Sequence, residues 1–475
     1  MSLSAAQFKR VWAAVPADPA RAATLAVIGL GLVVSLAANL PGHLSYDSVL
    51  QLAQGRSGVY NYWHPPVMAW LLGVFDGVAR GTALFVLFDT VLLYGALAIL
   101  VLANPRTGWP AAAVALIWAA SPDGLIYPGI VWKDVLFAAS ATAGFSLLAV
   151  ADKAWPRPPL RFGLIATAFL LLALAALTRQ NGAVVLPVAA VALGLIAART
   201  DATKPLRTGL AYGLAPLVGA GLVMAAANAA LQAHSDGEPS QAIQFADLQA
   251  YDLAGALRID PHLRLDRLKQ ANPRLELLLR NKGAPAYTPV RLDYVTGMPD
   301  LEQALFDTPM PVIGAQWRDL VLRHPLLYLR VRIADFGWVF LTPDIDTCVP
   351  YYVGIDGPEP WLSKLGLSNA VRPRDEMLKT YAEPLIHTPL ASHAAYAVLG
   401  LLVLWVTLRR RRSADIAVAG MVAAGLLFVA SFFLIAVACD YRYLYFLDLS
   451  AMAGALYLAA GGLGGASSRS DAGQA

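Results

Sequence analysis

Long apolar stretches recur along this chain and constrain its fold more than any motif does. A helix that crosses about 30 Å of hydrocarbon needs about 20 mostly apolar residues. Stretches of that kind lie at 22–40, 82–102, 110–124, 135–151, 162–178, 183–199, 208–231, 389–408, 415–437 and 444–463. The composition agrees: 57% of the 475 residues are hydrophobic and 14% are charged, where a soluble domain carries about 25% charged residues. That balance excludes a disordered chain and a disulfide-stapled miniprotein, and argues against an ordinary soluble enzyme. The first stretch is longer than a usual signal-peptide core and nine more follow it, so it reads as a retained span. Two cysteines, Cys348 and Cys439, make no framework. They pair if both face an oxidising compartment, and are otherwise two separate thiols.

Basic residues set the orientation. If every stretch is crossed once, Lys9, Arg10 and Arg21, Arg106, Lys153, Arg157, Arg161, Lys204 and the run Arg409–Arg412 all fall on one side. The positive-inside rule makes that side cytoplasmic, and both termini with it. The expected organisation is an N-terminal transmembrane module 1–231 with a first external loop 41–81, an external domain 232–388, C-terminal transmembrane helices 389–463 and a flexible cytoplasmic tail 464–475. The fold class is an all-α polytopic membrane protein of about ten transmembrane helices with a mostly helical external domain. The stretch from Pro65 to Val78, short and interrupted by Asp76, reads as an interfacial helix.

The external side receives most of the chemistry. Its first loop carries Ser45-Tyr46-Asp47-Ser48 and Tyr62-Trp63-His64-Pro65-Pro66. Trp132-Lys133-Asp134, Arg179-Gln180-Asn181-Gly182 and Asp440-Tyr441-Arg442-Tyr443 stand at later helix ends on the same side. Singly, each has a plain explanation. Asp47 suits a helix N-terminus, Trp63 an interfacial belt, His64 a loop-fixing hydrogen bond, and a basic residue a snorkelling anchor. Together they predict one polar cavity, because ionisable groups at membrane depth face a bundle interior or an aqueous cavity. Lys133, Arg179 and Arg442 suit a phosphate or pyrophosphate at headgroup level. Asp47 and Asp134 beside those cations stay ionised, and an ionised carboxylate can take a proton from a hydroxyl nucleophile. A base facing phosphate stabilisers describes displacement of a lipid phosphate from a sugar.

The order of these motifs resembles the GT-C superfamily of integral-membrane glycosyltransferases, with the closest similarity to bacterial protein mannosyltransferases and the lipid A aminoarabinose transferase. The resemblance spans most of the chain by architecture, on short motifs whose order and shared side give it specificity. It implies a polyprenyl-phosphate sugar donor and an active site on the periplasmic side of the bacterial inner membrane. It also implies an essential first-loop acid, here Asp47, and a second acid, here Asp134, that assists it or ligates a metal. Trp63, His64, Lys133, Arg179, Asn181, Asp440, Arg442 and Tyr443 are then the expected substrate-binding residues. Some members need a divalent cation, which for Asp47 and Asp134 would be Mg²⁺ or Mn²⁺. The acidic pair common in the family's first loop is Asp47-Ser48 here, which weakens the case for a metal at Asp47. Expected partners are the lipid-linked sugar, a glycan, lipid or protein acceptor and membrane lipids, with nothing pointing to nucleic acid. A lipid-linked-sugar flippase, or a polymerase or ligase of glycans, would use the same cavity.

Overall fold

Helices form where the apolar stretches lie, and polar turns and proline pairs separate them. The structure is a computed structural model and describes residues 18–461, so Lys9, Arg10 and the tail 464–475 lie outside the described residues. In chain order the principal helices are α1 (Pro19–Asn39), α2 (Tyr46–Ser57), α3 (Val67–Val78), α4 (Ala83–Ala103), α5 (Pro110–Ala120), α6 (Lys133–Ala151), α7 (Pro158–Thr178), α8 (Val185–Ala198), α9 (Pro205–Gln232), α10 (Ser240–Ile259), α11 (Met310–Arg323), α12 (Pro325–Leu341), α13 (Pro373–Ile386), α14 (His393–Arg410), α15 (Ser413–Ile435) and α16 (Tyr445–Gly461). Among the described residues β-pairing is limited to isolated bridges between loops.

Seven of the described helices are long and apolar enough to cross a membrane: α1, α4, α6, α7, α9, α15 and α16, with α6 and α16 taken together with their adjoining turns. α5, α8 and α14 occupy the other three predicted positions and are shorter in their apolar part. α5 has 11 residues, about 16 Å at 1.5 Å per residue, roughly half a hydrocarbon core. It stops at Ser121-Pro122, because a proline disfavours helix in the residue before it. The Ser121 side chain then accepts from Gly124 N and starts the short helix Pro122–Leu125, and a 3₁₀ turn at Tyr127–Gly129 follows. The chain thus makes that passage in three pieces. α14 ends on Arg409 and Arg410, which truncates its apolar run.

The two ends of the bundle differ in charge. At one end Arg21 donates to the carbonyls of Asn104 and Pro105 at 2.9 and 2.6 Å. Lys153 donates to Leu102 O at 2.9 Å, Arg199 to Arg411 O, and Asn104 to Tyr457 O at 3.1 Å. Arg410 pairs with Asp415 at 3.5 Å. These contacts gather the basic segments predicted to share a side, and they place the loops 41–81 and 436–443 at the opposite end.

α6 is the axis of the bundle: 89% of its most apolar window is buried, against 11% for α9. Its small residues Ala138, Ala139, Ala141 and Gly144 let neighbours approach closely. A Cβ at Gly144 would stand 2.7 Å from the Leu172 side chain. Phe137 packs on Phe428 and Phe446 with ring centroids 4.5 and 5.1 Å apart. α9 instead turns Leu210, Leu214, Val218 and Leu222 outward, as a lipid-facing helix does.

Residues 232–388 make two kinds of contact. The stretch 246–331 has its own core, built around Tyr251, Leu257, Leu279, Leu301 and Val331. Beyond it, Val339, Leu378 and Ile386 pack on the transmembrane core, and Leu362 and Leu365 on the first loop. Arg332 locks the two parts together from a fully buried position. It donates to Asp252 Oδ1 at 2.6 Å and to Phe433 O at 3.2 Å, and it also reaches Ala436 O. A guanidinium on the last carbonyls of α15 suits the negative end of that helix dipole.

The first loop folds as a helix pair, α2 against α3, that crosses at Gly55 and Gly73. A Cβ on Gly55 would overlap the Ala69 carbonyl oxygen and stand 2.7 Å from Gly73 N. Gly→Ala inside a helix normally stabilises by up to about 1 kcal/mol, whereas overpacking costs about 1–3 kcal/mol. Gly55→Ala is therefore expected to lower the thermal unfolding temperature of the detergent-solubilised protein. A rise would show that the two helices separate freely.

Candidate active site

Backbone tethers bring distant segments to one place. His43 N donates to Gly129 O and Val131 N to His43 O, at 2.9 and 3.0 Å. Leu44 N and Asp356 N bond to Gly354 O and Leu44 O, each at 2.9 Å. The start of α2 is thereby held beside the start of α6, and Trp132 Nε1 adds a bond to Ser45 Oγ at 2.9 Å. On the other flank Leu292 N donates to Val437 O at 2.8 Å and Cys439 N to Val290 O at 3.0 Å. These bonds set the turn 436–443 at the head of α16. Asp47 sits in the first turn of α2, where the helix N-terminus favours an anion.

These elements enclose an open cavity of about 840 Å³. Arg442 Nη2 donates to Asp47 Oδ2 at 2.8 Å, across 395 residues of sequence, and to Asp440 Oδ2 at 3.2 Å. Arg442 Nε lies 4.0 Å from Asp134 Oδ2. Its guanidinium lies over the Trp132 ring, 4.8 Å from the centroid, a cation–π contact. Arg291 reaches Asp440 Oδ1 at 3.3 Å. Lys133 Nζ donates to His64 Nδ1 at 2.7 Å. That bond puts the ring proton on Nε2, which faces Asp47 Oδ1 at 3.5 Å. Among the described residues Lys133 has no carboxylate within ion-pair distance.

Electrostatics follow from this packing. Burial by itself would raise the Asp47 carboxyl, but Arg442, His64 and Lys133 outweigh it and hold the group well below 3.8. Burial, reinforced by the Lys133 charge, lowers His64 below 6.5 against the pull of Asp47. The facing wall comes from residues 232–388 and has another character. It carries Gln241, Gln244, Phe245 and Asp247 of α10 together with Asp293. Burial, aided by Glu302 and Asp293, pushes Asp247 up to about 7.

Eight of the predicted residues line the cavity: Asp47, Trp63, His64, Lys133, Arg179, Asp440, Arg442 and Tyr443. Two do not. Asp134 is 3% exposed and sits behind the wall, paired with Arg179 and near Arg442. Its carboxylate faces those two cations. Arg179, so paired, stands over the rings of Phe432 and Tyr443 at 5.4 and 5.2 Å. Asn181 donates to Ser431 Oγ at 2.7 Å and ties the α7–α8 turn to α15. Arg442 pairs with Asp47 and lies 4.0 Å from Asp134, so its charge faces both carboxylates.

Trp132, Arg291 and Asp293 were not singled out from sequence as site residues. Trp132 had a signal, its place next to Lys133. Arg291 and Asp293 had none, since only the pairing of 290–292 with 437–439 brings them to the cavity.

No family model matches the chain, and no curated protein does either. Among solved structures the chain is similar to ArnT from Cupriavidus metallidurans in the apo state, at 13% identity with a TM-score of 0.33. The alignment covers 91% of this chain and 76% of that one. At that likeness no fold, activity or residue role is carried across. The reading of the site rests on its own geometry.

The lowered His64 has a pH consequence. The folded chain binds the His64 proton less readily than the unfolded chain, whose histidine titrates at 6.5. The resulting stabilisation is complete above pH 6.5 and is lost as pH falls below it. His64→Gln is expected to narrow the difference in unfolding temperature between about pH 7.5 and about pH 5.5. An undiminished difference would place the titrating group elsewhere.

Proposed function

We propose that this chain is a membrane glycosyltransferase that moves one sugar from a polyprenyl-phosphate-linked donor to an acceptor hydroxyl at the periplasmic face of the bacterial inner membrane. The observation that carries the reading is one cavity in which Asp47 stands beside Arg442 and a Lys133 with no carboxylate within ion-pair distance. The basic end of the bundle faces the cytoplasm in this reading, by the positive-inside rule, and so do both termini. Acceptors of this class are a glycan, a lipid or a protein presented outside the membrane.

Lys133 and Arg442 hold the donor phosphate. Lys133 gives the stronger pull because no carboxylate competes for it, whereas Arg442 is shared with Asp47 and Asp440. The apolar residues Phe432, Ile435 and Val437 on the same rim give the prenyl chain an approach from lipid. The acceptor hydroxyl lies against Asp47 Oδ1. As its oxygen bonds to the anomeric carbon, the bond from that carbon to the phosphate oxygen breaks. The electron pair leaves with the phosphate, where Lys133 and Arg442 stabilise it, and the hydroxyl proton passes to Asp47. A carboxylate held this far below 3.8 is a weak base, so it takes the proton late, once the hydroxyl oxygen has become acidic by bonding to carbon. Attack opposite the leaving phosphate inverts the anomeric centre. His64, fixed by Lys133, orients Asp47 Oδ1 through its Nε2–H. Asp134 holds Arg179 and Arg442 in place.

Three outcomes follow for purified protein with a radiolabelled prenyl-phosphate sugar and a cell-envelope acceptor. Asp47→Asn is expected to lose label transfer by at least about a hundredfold while it still binds donor. Transfer at the wild-type rate would remove Asp47 as base. Arg442→Ala is expected to weaken donor binding about tenfold to a hundredfold, the equivalent of about 1.5–3 kcal/mol for a charge-assisted bond; unchanged binding would remove its phosphate role. Chelation with EDTA is expected to leave transfer unchanged, and loss of activity restored by Mg²⁺ or Mn²⁺ would overturn that expectation. Movement of intact labelled lipid across liposomes with no sugar released would favour the flippase reading.

A further inference from the structure

The chain's two cysteines, 91 positions apart in sequence, meet beside the cavity. Cys348 and Cys439 are both buried, and each lies close enough to shift the other's ionisation. The backbone joins the same two segments, since Tyr441 N donates to Cys348 O at 2.8 Å. Cys348 leads into the strap that puts Val349 and Tyr352 on the cavity wall, and Cys439 directly precedes Asp440 and Arg442. Two thiols are not needed to fill such a site, because a buried cysteine packs as a small apolar side chain that alanine or valine could replace. What cysteine adds at two neighbouring positions is the capacity to bond.

We infer that Cys348 and Cys439 form a disulfide that clamps the strap 348–352 to the turn carrying Asp440 and Arg442. The inference rests on the proposed reading that this end of the bundle faces the oxidising side of the membrane. The bond forms by exchange with a disulfide-bearing oxidant. One cysteine thiolate attacks a sulfur of the oxidant's disulfide and joins it in a mixed disulfide. The second thiolate attacks the first cysteine's sulfur, closes the Cys348–Cys439 bond and expels the oxidant. The oxidant leaves as a dithiol carrying the two electrons and, overall, the two thiol protons. Both sulfurs are inaccessible in the folded chain, so the exchange takes place during membrane insertion and folding, and the finished bond is shielded from reductant.

The experiment counts thiols and checks the side independently. Full-length protein in native membranes is dissolved in denaturing detergent and treated with a polyethylene-glycol maleimide, before and after reduction. In parallel, Glu238→Cys in a Cys348→Ser/Cys439→Ser background, at an exposed position of the same end, is treated with a membrane-impermeant maleimide on intact spheroplasts. The inference expects no adduct before reduction and two after it, one adduct without reduction for Cys348→Ser alone, and a reporter labelled from outside. Two adducts without reduction, with the reporter labelled from outside, would overturn the disulfide and leave the sidedness standing. A reporter labelled only after permeabilisation would overturn the sidedness and the disulfide with it.

Discussion

Arg442 is the contact on which the rest of the site depends. Its guanidinium holds Asp47 of the first loop and Asp440 of its own turn, and it stands within 4.0 Å of Asp134 at the head of α6. A half-buried arginine still costs desolvation and is tolerated where carboxylates and an aromatic face satisfy it. Here Trp132 supplies the face. The cost is turned to use, because the charge that secures the loops also keeps Asp47 ionised. Removal of Arg442 would leave carboxylates without their counter-charge and would loosen three segments at once.

The bundle supplies the frame for this contact through an asymmetry of charge. Its basic end is closed by arginine and lysine bonds to helix-terminal carbonyls. The other end is opened by loops that cross-connect through isolated bridges. Arg332 extends the frame into the external domain by capping α15, so the domain that supplies the α10 wall is fastened to the helix that leads into the Asp440–Tyr443 turn. The cavity therefore has a bundle wall that gathers Lys133, Arg179 and Arg442 around Asp47 and Asp440, and a second wall where Arg291 and Asp293 stand beside the amides and acid of α10. That division suits a phosphate on one side and a hydroxyl-bearing acceptor on the other.

Much of this was legible in the sequence, and the exceptions have physical causes. Apolar runs fix helix positions because a lipid-facing backbone has no alternative. The 110–124 run overstates its helix because Ser121-Pro122 breaks it, a local rule that hydropathy does not weigh. Lys133 and Asp134 looked alike from sequence. Adjacent residues on a helix point about 100° apart, so one enters the cavity and the other faces the bundle behind it. Asn181 has the same history, its amide spent on Ser431. Arg291 and Asp293 carry no motif, and tertiary pairing alone brings them in.

The central claim is that the donor phosphate binds between Lys133 and Arg442 with its sugar toward Asp47. An electron cryomicroscopy structure of the Asp47→Asn protein with a prenyl-phosphate sugar tests it most directly. The account predicts phosphate density in contact with Lys133 Nζ and the Arg442 guanidinium, the anomeric carbon facing position 47, and the prenyl chain leaving past Phe432. Density for the headgroup at another place on the molecule, with these cations still paired as they are without ligand, would contradict it.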